Sequence, residues 1–301
     1  MNCVITITHP MKRQPQPSFT VLRSQLLCVA SLLSAGFLLP ISLPLNAQDA
    51  PLITITKSDK ISLALNAVTG PESALITQTL QKDLQLSGAF SIGVPTTSSF
   101  LVAGAGSGPS LRGLVTERGG RVILERSYQG NPRSQAHSFA NDIVETITGI
   151  RGIAGSKIAF VATRSGNKEI YLVESDGSGL TQLTRDSGIS VSPRISADGR
   201  KLAYTGYQSG YADVYEIELA SGSRRRIMKY PGTNSGAAYS PNGDHFAVTL
   251  SKDGNPELYV TASNGDSPRR LTMTPGVESC PTWSPDGREI IYSSDAGGNS
   301  M

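Results

Sequence analysis

At 301 residues the chain is long enough for two domains, and its 27 Lys and Arg barely outnumber its 24 Asp and Glu. Three of the basic residues, Lys12, Arg13 and Arg23, fall in an acid-free first stretch; without them 24 basic groups face 24 acidic ones, a balance that does not favour nucleic acid. Cys3 and Cys28 lie in the same stretch, so Cys280 would stand alone and a disulfide framework is excluded.

Residues 1–47 read as a cleavable export signal. Lys12, Arg13 and Arg23 form the positive region, Leu26 to Leu39 the apolar segment, and Ala47 the small residue before cleavage at Gln48. Met11 offers an alternative start. Ser31, Ser34, Gly36 and Pro40 interrupt the apolar run, which argues against a membrane anchor.

Residues 48–152 alternate strand and helix signals. Ile61 to Leu65 reads as a strand, and Pro71 opens a helix whose apolar side is Leu75, Ile76, Thr79, Leu80, Leu84 and Leu86, stopped by Gly88. Phe90 to Val94 is a second strand. The Ser/Gly-rich stretch Ser98 to Ser110 reads as a flexible loop, and its glycine run lacks the Lys and the strand-to-helix context of a phosphate loop. Leu111 to Glu117 and Arg121 to Tyr128 form a hairpin around Gly119-Gly120. A second helix, from about Arg133 to Thr148, turns Phe139, Ile143, Val144 and Ile147 to the sheet and ends at Gly149.

From residue 153 to 301 the chain repeats itself. Ser196, Ser240 and Ser284 are spaced by 44, as are Tyr171, Tyr215 and Tyr259, and the apolar triplets beginning at Ile158, Leu202, Phe246 and Ile290 keep the same beat. Each unit reads as four short antiparallel strands. In the third, strand A is Ala237 to Ser240, B is His245 to Leu250, C is Glu257 to Thr261 and D is Arg269 to Met273, with Asn-Gly or Gly-containing turns between them. Four strands in about 44 residues make a β-propeller blade, whose faces are buried only against its neighbours. Strand alternation puts the A–B and C–D turns on one face of the disc. The longer, varied D–A connections (Arg185 to Ser192, Lys229 to Gly236, Thr274 to Ser279) share the other face with the B–C loops, where recognition is expected.

No catalytic, cofactor or metal constellation is expected. His137 begins a helix and His245 follows a tight turn, so the two cannot easily share a metal. Asp198 and Asp286 suit turns that accept hydrogen bonds from their own backbone. Arg224 to Arg226 and Arg269-Arg270 sit on the outermost strand, where charge blunts edge pairing. Cys280 is expected to be a small packing residue of an inner strand.

The run His137-Ser138-Phe139-Ala140-Asn141-Asp142-Ile143, with Thr148-Gly149-Ile150-Arg151-Gly152-Ile153 and the tracts Tyr239-Ser240-Pro241-Asn242-Gly243 and Thr282-Trp283-Ser284-Pro285-Asp286-Gly287, resembles the TolB family of the Tol–Pal system. The resemblance implies an α/β N-terminal domain followed by an all-β propeller, six-bladed in the family, of which about three and a half blades are present here. It implies a periplasmic, non-enzymatic adaptor, monomeric when full length, that binds the lipoprotein Pal and so associates peripherally with the outer membrane. It also implies contact with TolA and a part in outer-membrane invagination during cell division and in envelope integrity. On that resemblance Thr233, Asn234, Gly236, Glu278 and Ser279 lie where Pal would dock, and Gln48, Asp49, Leu52, Ile53 and Ile55 lie in the TolA-facing segment. The chain stops at Met301 just after strand B of the fourth unit, which reads as a fragment or a prematurely ended frame, expected to be unstable or to aggregate. The alternative is the propeller of an exported enzyme, a polysaccharide lyase or a prolyl-oligopeptidase-like hydrolase whose remaining part is missing.

Overall fold

The computed structural model describes residues 60–298 and a two-residue strand, β1 (Thr6–Ile7). The expected export signal and the TolA-facing residues Gln48, Asp49, Leu52, Ile53 and Ile55 lie outside the described residues.

The first part is an α/β module of β2 (Ile61–Leu65), α1 (Ser73–Leu86), β3 (Phe90–Ile92), β4 (Phe100–Gly106), β5 (Ser110–Glu117), β6 (Val122–Gln129) and α2 (Pro132–Thr148). The sheet runs β3-β2-β4-β5-β6. β2 is parallel to both its neighbours, and β4, β5 and β6 form an antiparallel meander. Both helices turn their apolar faces inward, so Ile76, Leu80 and Leu84 of α1 meet Phe139 and Ile143 of α2 over Leu63, Val102, Leu111 and Val115 of the sheet. Each such side chain removed from water contributes about 1.5–3 kcal/mol. α2 starts where the Asn131 side chain accepts a hydrogen bond from the Ser134 N–H with Pro132 in the first turn, and it ends at Gly149 in the left-handed conformation. α1 begins at Ser73, two residues past the expected Pro71, after Glu72 adopts a left-handed backbone.

The Ser98 to Ser110 stretch is not a loop. Phe100 to Gly106 forms β4, a central strand between β2 and β5. Its glycines answer to packing: a Cβ on Gly104 would meet Val68 and Leu111 side chains at 3.1 and 3.2 Å. Composition suggested flexibility where the sheet needed room.

The second part is built of antiparallel sheets whose strands pair in chain order. The first contains β7 (Lys157–Ala162), β8 (Glu169–Glu174) and β9 (Thr181–Gln182), with β1 paired to the free edge of β7. The second contains β10 (Ser190–Ile195), β11 (Lys201–Gly206), β12 (Asp213–Glu218) and β13 (Arg224–Met228). The third contains β14 (Asn234–Tyr239), β15 (His245–Leu250), β16 (Glu257–Ala262) and β17 (Arg269–Arg270), and the fourth the pair β18 (Glu278–Trp283) and β19 (Ile290–Ser294). β15 and β16 are buried along nearly their whole length, because both faces of a blade are covered by its neighbours.

The 44-residue period governs details as well as strands. Ser240 accepts from the His245 N–H and donates to Asn242 in the A–B turn; Ser196 with Asp198 and Ser284 with Asp286 repeat the arrangement, as the turn reading anticipated. Each inner strand carries a bulge at one position, and Ser192, Gly236 and Cys280 there have φ of 54°, 64° and 52°. Only glycine takes that conformation freely, so Ser192 and Cys280 each carry about 1–2 kcal/mol of local strain. Cys280 is exposed rather than packed, because the bulge turns it out of the strand's buried row.

Candidate docking face of the propeller

The face carrying the B–C and D–A connections is organised by the first residues of strands A and C. The backbone N–H groups of Ser190, Asn234 and Glu278, 44 residues apart, donate to the carbonyls of Lys168, Ala212 and Pro256 in the preceding blade. Beside each carbonyl sits a buried acid that opens strand C: Glu169, Asp213 or Glu257. Charge buried without a partner is costly, and each acid is supplied with donors. Glu169 accepts from the Thr184 hydroxyl. Asp213 accepts from Ser209 at 2.5 Å and Arg226 at 3.0 Å. Glu257 accepts from Arg270 at 2.7 Å and the Thr274 N–H at 2.9 Å. Burial favours the neutral form of Glu257, but hydrogen bonds from Thr272, Thr274 and Arg270 outweigh it and hold the carboxyl below its ordinary range.

The arginines of strand D therefore do more than blunt an edge. Arg226 and Arg270 serve these acids, Arg225 pairs with Glu216 at 2.8 Å, and Arg224 reaches Asp186 at 2.7 Å. The 44-residue spacing of Glu169, Asp213 and Glu257 was present in the sequence, and pairing each with the Arg or Thr 13 to 15 residues later would have found it.

The five residues expected to face Pal divide sharply. Asn234 and Glu278 are fully buried. The Asn234 amide accepts from the Tyr230 N–H at 2.9 Å and donates to the Tyr230 carbonyl at 2.8 Å, with the Ala212 carbonyl and Asp213 each 3.3 Å away. Glu278 accepts from Thr274 and Ser294 through Oε1, while its buried Oε2 and that of Glu257 lack partners. Gly236 and Ser279 belong to inner strands, and Thr233 alone remains in a D–A connection, its N–H bonded to the Ser251 hydroxyl at 2.7 Å. Strand A starts earlier than its apolar residues suggested, which takes Asn234, Gly236, Glu278 and Ser279 out of the connections and into the strands. The accessible side chains of the face include Tyr207 and Tyr211 in the B–C loop of the second blade and Ile189 before β10.

Seams between blades repeat one device. Tyr239 donates to Glu216 of the preceding blade at 3.0 Å, and 44 residues on, the Trp283 indole donates to the Ala238 carbonyl at 3.0 Å. Burial, reinforced by Glu216, pushes the Tyr239 hydroxyl far above its ordinary pKa and keeps it a donor.

One trio among the described residues, His137, Glu174 and Asp176, has ligand-type atoms within 4.8 Å of one another. The Arg133 guanidinium holds the point between them, donating to Glu174 at 2.9 Å and Asp176 at 2.6 Å, so the group is an ion-pair cluster.

Blades of 44 residues stacked behind a five-stranded α/β module define a two-part β-propeller protein. The model of the TolB beta propeller domain matches residues 144–301, and the chain belongs to that family. It is 32% identical over 223 residues to a TolB homolog of Chlorobium chlorochromatii, covering 62% of this chain and 50% of the relative. It is 48% identical over 84 residues to a TolB homolog of Chlorobium luteolum, covering 27% and 19%. The Tol-Pal system protein TolB of Geobacter sulfurreducens is 43% identical over 83 residues, covering 27% of this chain and 19% of that protein. These matches span half or less of each relative's length. The crystal structure of TolB from Acinetobacter baumannii superposes with a TM-score of 0.72 at 21% identity, covering 80% of this chain and 68% of that one, a likeness of fold.

Proposed function

We infer that the chain serves the Tol–Pal system as a non-catalytic adaptor in the periplasm, reached through a cleaved export signal. Its propeller docks Pal on the B–C/D–A face, and the segment around Gln48, Asp49, Leu52, Ile53 and Ile55 contacts TolA, in support of outer-membrane invagination and integrity. The observation that carries this reading is the match of the TolB propeller model to residues 144–301, continuous with the end of α2 and the exit into the first blade. The chemistry of the described face agrees with it: Asp213 and Glu257 are tied to the arginines of strand D, as in a scaffold.

A binding measurement with purified Pal tests the proposal. Thr233→Arg with Ser279→Arg places bulk and charge on the half-buried pair of the expected face. Binding should weaken at least about tenfold, the effect of losing one good contact of about 1.4 kcal/mol. Unchanged affinity would move the docking face elsewhere, and no binding by the unaltered protein would remove Pal as partner.

A further inference from the structure

Between the α/β module and the first blade lies a cluster of charged side chains drawn from three elements. α1 supplies Asp83 and Thr79, and α2 supplies Arg133 and His137, one turn apart. The end of β8 supplies Glu174, and the turn that follows it supplies Asp176 and Ser178. Arg133 spans the joint, its Nη2 lying 2.9 Å from Glu174, 2.6 Å from Asp176 and 2.5 Å from the Ser178 hydroxyl. His137 lies behind it, with Nδ1 2.7 Å from Asp83 and Nε2 3.6 Å from Glu174. The linker closes the remaining side. Asn141 of α2 holds both the N–H and the carbonyl of Ala154, and a Cβ on Gly155 would stand 3.3 Å from the His137 ring.

We propose that His137 is a proton-operated catch that fastens α1 and α2 to the first blade and relaxes when its ring loses a proton. Glu174 and Asp176 converge on the Arg133 guanidinium while Asp83 lies against the imidazole, so three carboxyl groups face one fixed positive charge and a second reduces the excess. The imidazole is the one group placed to supply and withdraw it near neutral pH. With Nδ1–H engaged by Asp83, the proton gained or lost is the one on Nε2, the nitrogen facing Glu174 across the joint. Neutral His137 leaves Nε2 as an acceptor 3.4 Å from Arg133, which competes with the blade carboxylates for that guanidinium.

Burial disfavours the charged ring, but the Asp83 hydrogen bond and charge outweigh it and raise the pKa above 6.5 despite Arg133. A raised pKa fixes the direction: the catch contributes fully below pH 6.5 and is lost as pH rises through the folded value. Glu174 and Asp176 are both held below the ordinary carboxylate range, burial raising them and Arg133 with Ser178 lowering them more, so neither titrates in this window.

The test is a titration of the His137 ring by NMR in the full chain, with protection of the Ala154 amide against hydrogen exchange followed over the same pH range. The ring is expected to titrate above 6.5. Protection should fall through the same midpoint, about tenfold for each unit separating the latched and free pKa values. Glu174→Gln, at a half-exposed position, should shift the midpoint down, and His137→Gln should flatten the pH dependence of protection. A midpoint at or below 6.5, an unshifted midpoint in Glu174→Gln, or a pH dependence of protection that persists in His137→Gln would overturn the proposal. Should His137→Gln fail to fold, the Glu174→Gln shift decides alone.

Discussion

Replacing Asn234 with alanine separates a clamp from a contact residue. The amide makes two good bonds to the backbone of Tyr230, to its N–H at 2.9 Å and its carbonyl at 2.8 Å, and sits in a fully buried position. Alanine would strand both backbone groups. An unsatisfied buried group costs about 1–3 kcal/mol, so the loss should be about 2–5 kcal/mol, a large share of the roughly 5–15 kcal/mol that holds a domain. A residue serving only a partner would cost within about 0.5 kcal/mol. Urea unfolding followed by circular dichroism reads the difference: with m of about 1–3 kcal/mol/M, the midpoint should drop by at least about 0.7 M. Asn234→Asp keeps an acceptor for the Tyr230 N–H but turns a carboxylate towards carbonyls and Asp213, and should be at least as damaging at neutral pH and milder in acid. An alanine variant costing under about 1 kcal/mol would refute the clamp.

Two further expectations concern packing. Gly113→Ala would place a Cβ 2.6 Å from the Phe139 ring, and the overpacking should cost about 1–3 kcal/mol in denaturant unfolding; a neutral effect would mean that α2 is free to shift on the sheet. Trp283→Phe keeps most of the apolar contact and loses the bond to the Ala238 carbonyl, which should lower stability by about 0.5–1.5 kcal/mol in the same assay.

Strands B and C of the blades were legible because period, turn residues and apolar triplets point to the same boundaries, whereas strand D, expected over Arg269 to Met273, pairs only at Arg269–Arg270. His245 to Leu250 is a strand with the limits its sequence suggests, entered through a Ser-Pro-Asn-Gly turn whose side chains bond as those residue types should. α2 was equally readable from its apolar face and Gly149, and it starts at Pro132, one residue before the expected Arg133. What escaped depends on neighbours distant in the chain. Gly104 sits in a central strand because Val68 and Leu111 leave no room for a side chain, and nothing local in Gly104-Ala105-Gly106 announces that. Asn234 and Glu278 look like loop residues because they are polar and adjoin turns, yet each lies in an inner strand against the preceding blade. Polarity marked them as exposed, whereas both are buried, Asn234 bonded to the Tyr230 backbone and Glu278 held through Oε1 by Thr274 and Ser294.

That tie recurs at one register position from wedge to wedge, always a main-chain donor on one sheet and a carbonyl on the sheet before it. Cohesion of the array is thus a series of like rungs, each felt by its two flanking sheets and only weakly beyond. Damage at a single rung should loosen the adjoining pair and spare remote ones, so amide protection would fall as a local step along the sequence rather than collapse everywhere at once.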